Sequence, residues 1–259
     1  MNLLKRSIVA VIAIPVLLWL YYTGGVYLIS FLALLTFLVS YELVKMFKNK
    51  NINLLYFNTV SSVLLFFSIV YNHKHTIFIL FFVILFNSIQ NVFRGKIDGA
   101  IQRISSAVLT VTYPAIGFAY FYKLSDFNPL LVIVLACLIW ITDIFAYFSG
   151  MLLGKHKNIF VCSPNKSLEG FIGGFIFATI GALAARYIDA SLNSFKFVIL
   201  LSISAGIFGQ FGDLLESIIK RDLGVKDSSG IIPGHGGVLD RFDSLLIAAP
   251  ILYIFIEIF

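Results

Sequence analysis

Apolar residues run through this chain in long unbroken stretches, and polar residues gather in the short intervals between them. An apolar stretch of about 20 residues, wound as a helix, crosses the hydrocarbon core of a bilayer. Stretches near that length lie at about 7–22, 25–44, 53–71, 76–93, 105–122, 128–149, 168–188, 196–216 and 242–258. The pattern predicts an all-α, polytopic integral membrane protein with about nine transmembrane helices. The intervals around Gly24–Gly25 and Asn72–His75 are so short that the helices they join are expected to be antiparallel neighbours.

Composition agrees. Of 259 residues, 59% are hydrophobic, 27 are phenylalanine and 12% are charged, and the mean hydropathy is +0.96. Soluble domains carry roughly 25% charged residues, so too little polar surface is present to cover a water-facing globule. With nine spans and a cytoplasmic N-terminus, fifteen of the 19 basic residues fall in cytoplasmic stretches. Only Lys74, Lys123, Arg186 and Lys196 fall outside, which is the asymmetry expected of an inserted protein. The formal charge of +6 suits loops lying against anionic head groups and does not call for a nucleic acid partner. Lys5 and Arg6 precede the first run, but no A-x-A-like site follows it, so an uncleaved helix is expected there. Cys137 and Cys162 sit in different environments and suggest no disulfide.

Charge separates two regions, 1–125 and 126–259. The first reads as transmembrane scaffold: its acids, Glu42 and Asp98, with Asp126 at the boundary, lie near helix ends. In the second, nine of the remaining ten acids lie between Asp143 and Asp243. A carboxylate at bilayer depth costs a few kcal/mol on insertion scales, so it is usually paired, turned to a polar cavity or bound to a cation. Asp143, Asp213, Glu216, Asp240 and Asp243 all fall in the cytoplasmic halves of their helices. Three spans thus send acids to one level of the membrane.

Four stretches surround that level. In "WITDIFAYFSGMLLGKHK" Asp143 and Tyr147 share a helix face with Gly150 and Gly154, either a packing face or a polar wall beside a ligand. In "CSPNKSLEGFIGG" Ser167 is placed to cap a helix, and Lys166 adds a cation beside that helix N-terminus, a position that suits phosphate. In "FGQFGDLLESIIKRD" Asp213, Glu216 and Ser217 form one polar stripe, with Lys220 and Arg221 where the helix leaves the membrane. In "IIPGHGGVLDRFD" Gly234, Gly236 and Gly237 allow backbone N–H groups to approach a ligand closely, and Asp240 and Asp243 point the same way. His235 is open to three readings: an acid–base group, a metal ligand or a turn residue. Hard oxygen ligands beside a phosphate-rich substrate are the usual recipe for Mg²⁺, and the chemistry they suit is phosphoryl or nucleotidyl transfer.

The run "SIIKRDLGVKDSSGIIPGHGGVLDRFD", Ser217–Asp243, resembles the signature of the phosphatidate cytidylyltransferases, or CDP-diacylglycerol synthases. "WITDIFAYFSG" and "SPNKSLEG" look like that family's upstream blocks, with Asn165 where the family commonly has a second lysine. The resemblance implies that CTP and phosphatidic acid give CDP-diacylglycerol and pyrophosphate, with Mg²⁺, in a two-metal site, at the cytoplasmic face of the cell membrane. It implies that Asp213 and Asp240 are metal ligands with Asp243 in support, and that Lys166 lies near Asp240 among the catalytic groups. Ser163, Ser217, Lys220, Arg221 and Lys226 would then meet CTP. Asp143, His235, Gly236, Gly237 and Arg241 would complete the substrate site. The alternatives are a CTP-dependent transferase acting on another lipid and an ion-coupled organic-anion transporter. The latter predicts acids at the centre of broken helices in two related halves, whereas here they lie toward one face. Oligomeric state, a homodimer included, is open.

Overall fold

The computed structural model describes residues 15–71, 73–95, 97–188, 192–232, 234 and 236–259. Lys5, Arg6, Lys96, Pro233 and His235, and the start of the first apolar run, lie outside the described residues. After a helical stretch at 15–23, the elements in order are α1 (Gly25–Asn49), α2 (Phe57–Tyr71), α3 (Thr76–Phe93), α4 (Ala100–Phe127) and α5 (Pro129–Leu153). Then come α6 (Leu168–Ala185), α7 (Phe195–Ile203), a π-helical turn (Ser204–Gly209), α8 (Gln210–Asp222) and α9 (Leu239–Ile258). Among the described residues no strand forms, and one isolated bridge joins Ile232 to Gly236.

Among the described residues, six helices are long and apolar enough to cross a membrane: α1, α3, α4, α5, α6 and the continuous Phe195–Asp222. The protein is a multi-pass, all-helical membrane protein. α2 is apolar but shorter, and α9 carries Asp240, Arg241 and Asp243 in its first turns.

Local chemistry sets several boundaries. Asn128 accepts the Leu130 N–H at 2.9 Å, and Pro129 starts α5 where its missing donor costs nothing. Ser167 caps α6 through the Gly170 N–H at 3.1 Å, as its sequence position predicts. α9 has no such cap of its own: Val238 occupies the cap position and offers no side-chain acceptor.

α4 is the central column and touches α1, α2, α3, α5 and α9. Phe118, Phe121 and Leu124 are fully buried on it. Gly117 lets α9 press close, since a β-carbon there would stand 2.8 Å from Leu246 Cα. α5 and α6 form a second tight pair, with a β-carbon at Gly170 reaching 2.7 Å from the Ala146 carbonyl oxygen. α3 is peripheral: only Val83 and Asn87 are buried on it, and Asn87 exchanges amide hydrogen bonds with Asn58 of α2.

Candidate active site

α8 begins directly after the π-helical turn, and Asp213 and Glu216 lie one turn apart on one face of it. Gly212 sits where α8 crosses α9. A β-carbon there would stand 2.6 Å from the Asp243 carbonyl oxygen and 2.9 Å from Ser244 Cα, so glycine is what lets the two backbones meet. The crossing carries Asp243 to the two acids of α8. One carboxylate oxygen each from Asp213, Glu216 and Asp243 lies within 4.8 Å of the others. Three carboxylates this close repel one another unless protons or a cation intervene. Glu216 Oε1 is buried and has no hydrogen-bond partner among the described residues. Hard oxygens with an unspent acceptor suit a divalent cation, so the group fits a metal ion.

Two lysines reach the acids from different elements. Lys166 pairs with Asp213. Lys220, its side chain only 13% exposed, lies 2.6 Å from Glu216 Oε2 and 2.8 Å from Asp240 Oδ1. The segment before α6 delivers Lys166 because it folds back on itself. Asn158 N–H donates to the Pro164 carbonyl at 3.1 Å, and His156 Nδ1 lies 2.6 Å from Glu169 Oε1.

Asp240 is tied into the loop before its own helix. Its Oδ2 accepts from Gly237 N–H at 2.7 Å and Ser228 N–H at 3.1 Å, and Ser228 Oγ lies 3.1 Å away. Gly236 holds φ at +86°, a conformation that favours glycine, and a β-carbon there would stand 2.7 Å from Asp240 Oδ2. The same loop is gripped from the far side by Glu42 of α1, which is fully buried. Glu42 Oε1 accepts from Ser229 Oγ at 2.5 Å and Val238 N–H at 2.8 Å; Oε2 accepts from Leu239 N–H at 2.8 Å and Ser228 Oγ at 3.2 Å. The missing cap of α9 is therefore supplied from α1.

The acids of α8 and α9, with Lys220, open onto a cavity of about 920 Å³. Asp143, Asp213, Glu216, Lys220, Asp240 and Asp243 form its polar end, and Leu17, Tyr21, Phe31, Leu35, Ile139 and Trp140 line its apolar side.

The chain matches the profile of the cytidylyltransferase family over residues 4–259. It belongs to that family. It is 35% identical over 266 aligned residues to the phosphatidate cytidylyltransferase of Staphylococcus aureus (strain COL), covering 96% of this chain and 97% of that one. It is 46% identical to the phosphatidate cytidylyltransferase of Staphylococcus haemolyticus (strain JCSC1435) over 148 residues. That match covers 57% of this chain and 56% of the relative, so it spans about half the relative's length. The enzyme of that name from Staphylococcus epidermidis (strain ATCC 12228 / FDA PCI 1200) is 43% identical over a stretch of the same size.

In this cytidylyltransferase-family chain the residues singled out from sequence fall into three groups. Asp143, Asp213, Lys220, Asp240, Arg241 and Asp243 line the cavity. Ser163, Lys166, Ser217, Arg221 and Lys226 are not among the described residues that line it: Ser163 closes a turn with Lys166, and Arg221 and Lys226 are exposed nearby. Gly236 and Gly237 shape the loop that holds Asp240. Lys166, expected beside Asp240, pairs instead with Asp213, and Asp240 pairs with Lys220. The cause is topological. The loop bearing Lys166 leads into α6, which packs on the π-helical turn and so brings the lysine to the start of α8. Lys220, two turns further along α8, is the cation that reaches α9. Glu216 belongs to the three-acid group in the structure, whereas the sequence placed it among the converging acids but not among the metal ligands. Glu42 reads in sequence as an acid of an apolar scaffold, and in the structure it is enclosed by the signature loop.

Proposed function

We propose that this protein transfers the cytidylyl group of CTP to phosphatidic acid, releasing pyrophosphate and leaving CDP-diacylglycerol in the membrane. The single observation that carries the reading is that one cavity joins a cluster of acids, with Lys220 and Arg241, to a wall of apolar side chains. A lipid phosphate and a nucleotide triphosphate can meet there while the acyl chains stay in an apolar setting. The relatives' names and the family match support the same reaction.

In the reaction a lipid phosphate oxygen attacks the α-phosphorus of CTP, and the bond to the pyrophosphate oxygen breaks. Lys166 and Lys220 place two ammonium groups among the acids, where they offset phosphate charge during the displacement. Arg241 opens onto the cavity, and Arg221 and Lys226 stand near it to gather the nucleotide's phosphates. Asp213, Glu216 and Asp243 would hold Mg²⁺, with Asp240 joining them once Lys220 shifts toward the substrate. Such a cation, when bound, neutralises phosphate oxygens and aligns the attacking and leaving groups. Asp143 bounds the polar end from α5. We place the N-terminus and this site on the cytoplasmic side of the cell membrane with about nine spans, because the basic residues then concentrate there. Residues 1–125 serve as scaffold and 126–259 as the catalytic region.

The test is direct. Purified protein in detergent receives labelled CTP, phosphatidic acid and Mg²⁺, beside Asp240→Asn and parallel mixtures with other nucleotides and other lipid alcohols or phosphates. Labelled CDP-lipid is expected from the parent, with a loss of at least ~100-fold in the variant. Product on another lipid, or equal turnover by the two proteins, would refute the assignment.

A further inference from the structure

Glu42 comes from α1, yet it accepts four hydrogen bonds from the segment 228–239, between 186 and 197 residues away along the chain. We infer that Glu42 is a positioning residue for the reaction: it fixes the N-terminus of α9 and so sets where Asp240 and Asp243 stand. This inference rests on the reading given above and adds a residue to it.

The first N–H groups of a helix have no partner within it, and an acid at that end is favoured by the helix dipole. In α9 those groups are the N–H donors of Val238 and Leu239, and Glu42 takes one with each oxygen. Asp240 is the next residue, and Asp243 follows one turn later, so any rotation or retreat of this helix end moves both carboxylates. The second pair of bonds, from Ser228 and Ser229, ties the loop to the same anchor. Ser228 is shared: its hydroxyl also lies 3.1 Å from Asp240 Oδ2. Packing leaves no slack. A β-carbon on Gly237 would come 2.8 Å from Glu42 Oε1 and 2.9 Å from Ser229 N and would collide with Ser228 Oγ. Glu42 accepts from the neutral donors of Ser228, Ser229, Val238 and Leu239 and lies outside the three-acid group, so it anchors the site without entering it.

Glu42→Gln is the variant of choice, because its amide nitrogen turns a donor toward backbone donors while volume is kept. Three measurements are made on the full chain in detergent: amide hydrogen exchange over 228–240 in metal-free protein, Mn²⁺ affinity, and kcat and KM on the monodisperse fraction. We expect exchange at Val238 and Leu239 to quicken at least ~10-fold and Mn²⁺ to bind more weakly. kcat should fall about 30–100-fold, the scale of an ~1 Å misplacement, with KM for phosphatidic acid within about 3-fold. A merely structural role would lower the thermal midpoint and the folded yield but leave kcat per folded molecule and Mn²⁺ affinity unchanged. That result, or parent-like exchange, overturns the inference. Should Glu42→Gln not fold, Ser229→Ala removes one bond only, and the same measurements must move in the same direction by about 3-fold or the inference fails. A parent protein that makes no CDP-lipid removes the proposed reaction, and exchange and Mn²⁺ affinity then decide the positioning role alone.

Discussion

Glu42 and Glu216 are both buried glutamates, one in the apolar first region and one in the charged second region, yet their surroundings are opposite. Glu42 is enclosed by two backbone N–H groups and two serine hydroxyls, each oxygen taken twice. Glu216 has Lys220 on one oxygen, nothing hydrogen-bonded to the other among the described residues, and two more carboxylates within reach. A buried acid whose acceptors are all used by neutral donors is a finished joint. A buried acid with an unspent oxygen beside like charges is held ready for something that arrives. The contrast teaches that depth alone does not identify a functional carboxylate; the partners do.

Breaking the open cluster should have the largest effect. Asp213→Asn or Asp243→Asn is expected to reduce CDP-lipid formation by about 10³-fold, and Mn²⁺ binding followed by paramagnetic resonance should weaken in parallel. Activity within tenfold of the parent would show that the three acids do not act together. Gly212→Ala comes next. Its new methyl meets the Asp243 backbone, so the crossing of α8 and α9 must open, at about 1–3 kcal/mol in stability and at least ~10-fold in turnover. A thermal midpoint equal to the parent's would contradict this. Lys220→Met leaves Glu216 and Asp240 without their shared cation. It should destabilise the protein by about 3 kcal/mol, and adding Glu216→Gln should recover part of that loss. The smallest effect belongs to the exposed ion pair of Lys50 with Asp222, 2.6 Å apart at the C-terminal ends of α1 and α8. Lys50→Ala should change stability by no more than ~0.5 kcal/mol and leave turnover within twofold.

Much of this was legible in the sequence, for physical reasons that differ by element. Six of the apolar runs became helices of spanning length, because a run of that composition has few other stable forms in lipid. The Ser167 cap and the shared face of Asp213 and Glu216 follow from helix geometry over three or four residues, which spacing alone reveals. Glu42 was not legible. Its partners come from the other end of the chain, and one acid near the end of an apolar helix carries no periodic signal of where it will be buried. The pairings of Lys166 with Asp213 and of Lys220 with Asp240 escaped for the same reason: helix packing decides which cation reaches which acid. The π-helical turn leaves no mark in an apolar stretch rich in small residues.

That turn has a consequence for how the chain tolerates changes of length. A π-type turn takes up one residue more than an α-turn while the helices on either side keep their faces. Removing a single residue from within Ser204–Gly209 would therefore tighten the turn and leave the acids of α8 aimed as before. The same deletion two turns lower, at Leu214 or Leu215, would swing the remainder of α8 by about 100° and carry Glu216 and Lys220 away from the cavity. One short reach of this span is thus the place where the chain can lose a residue and still keep the chemistry in register.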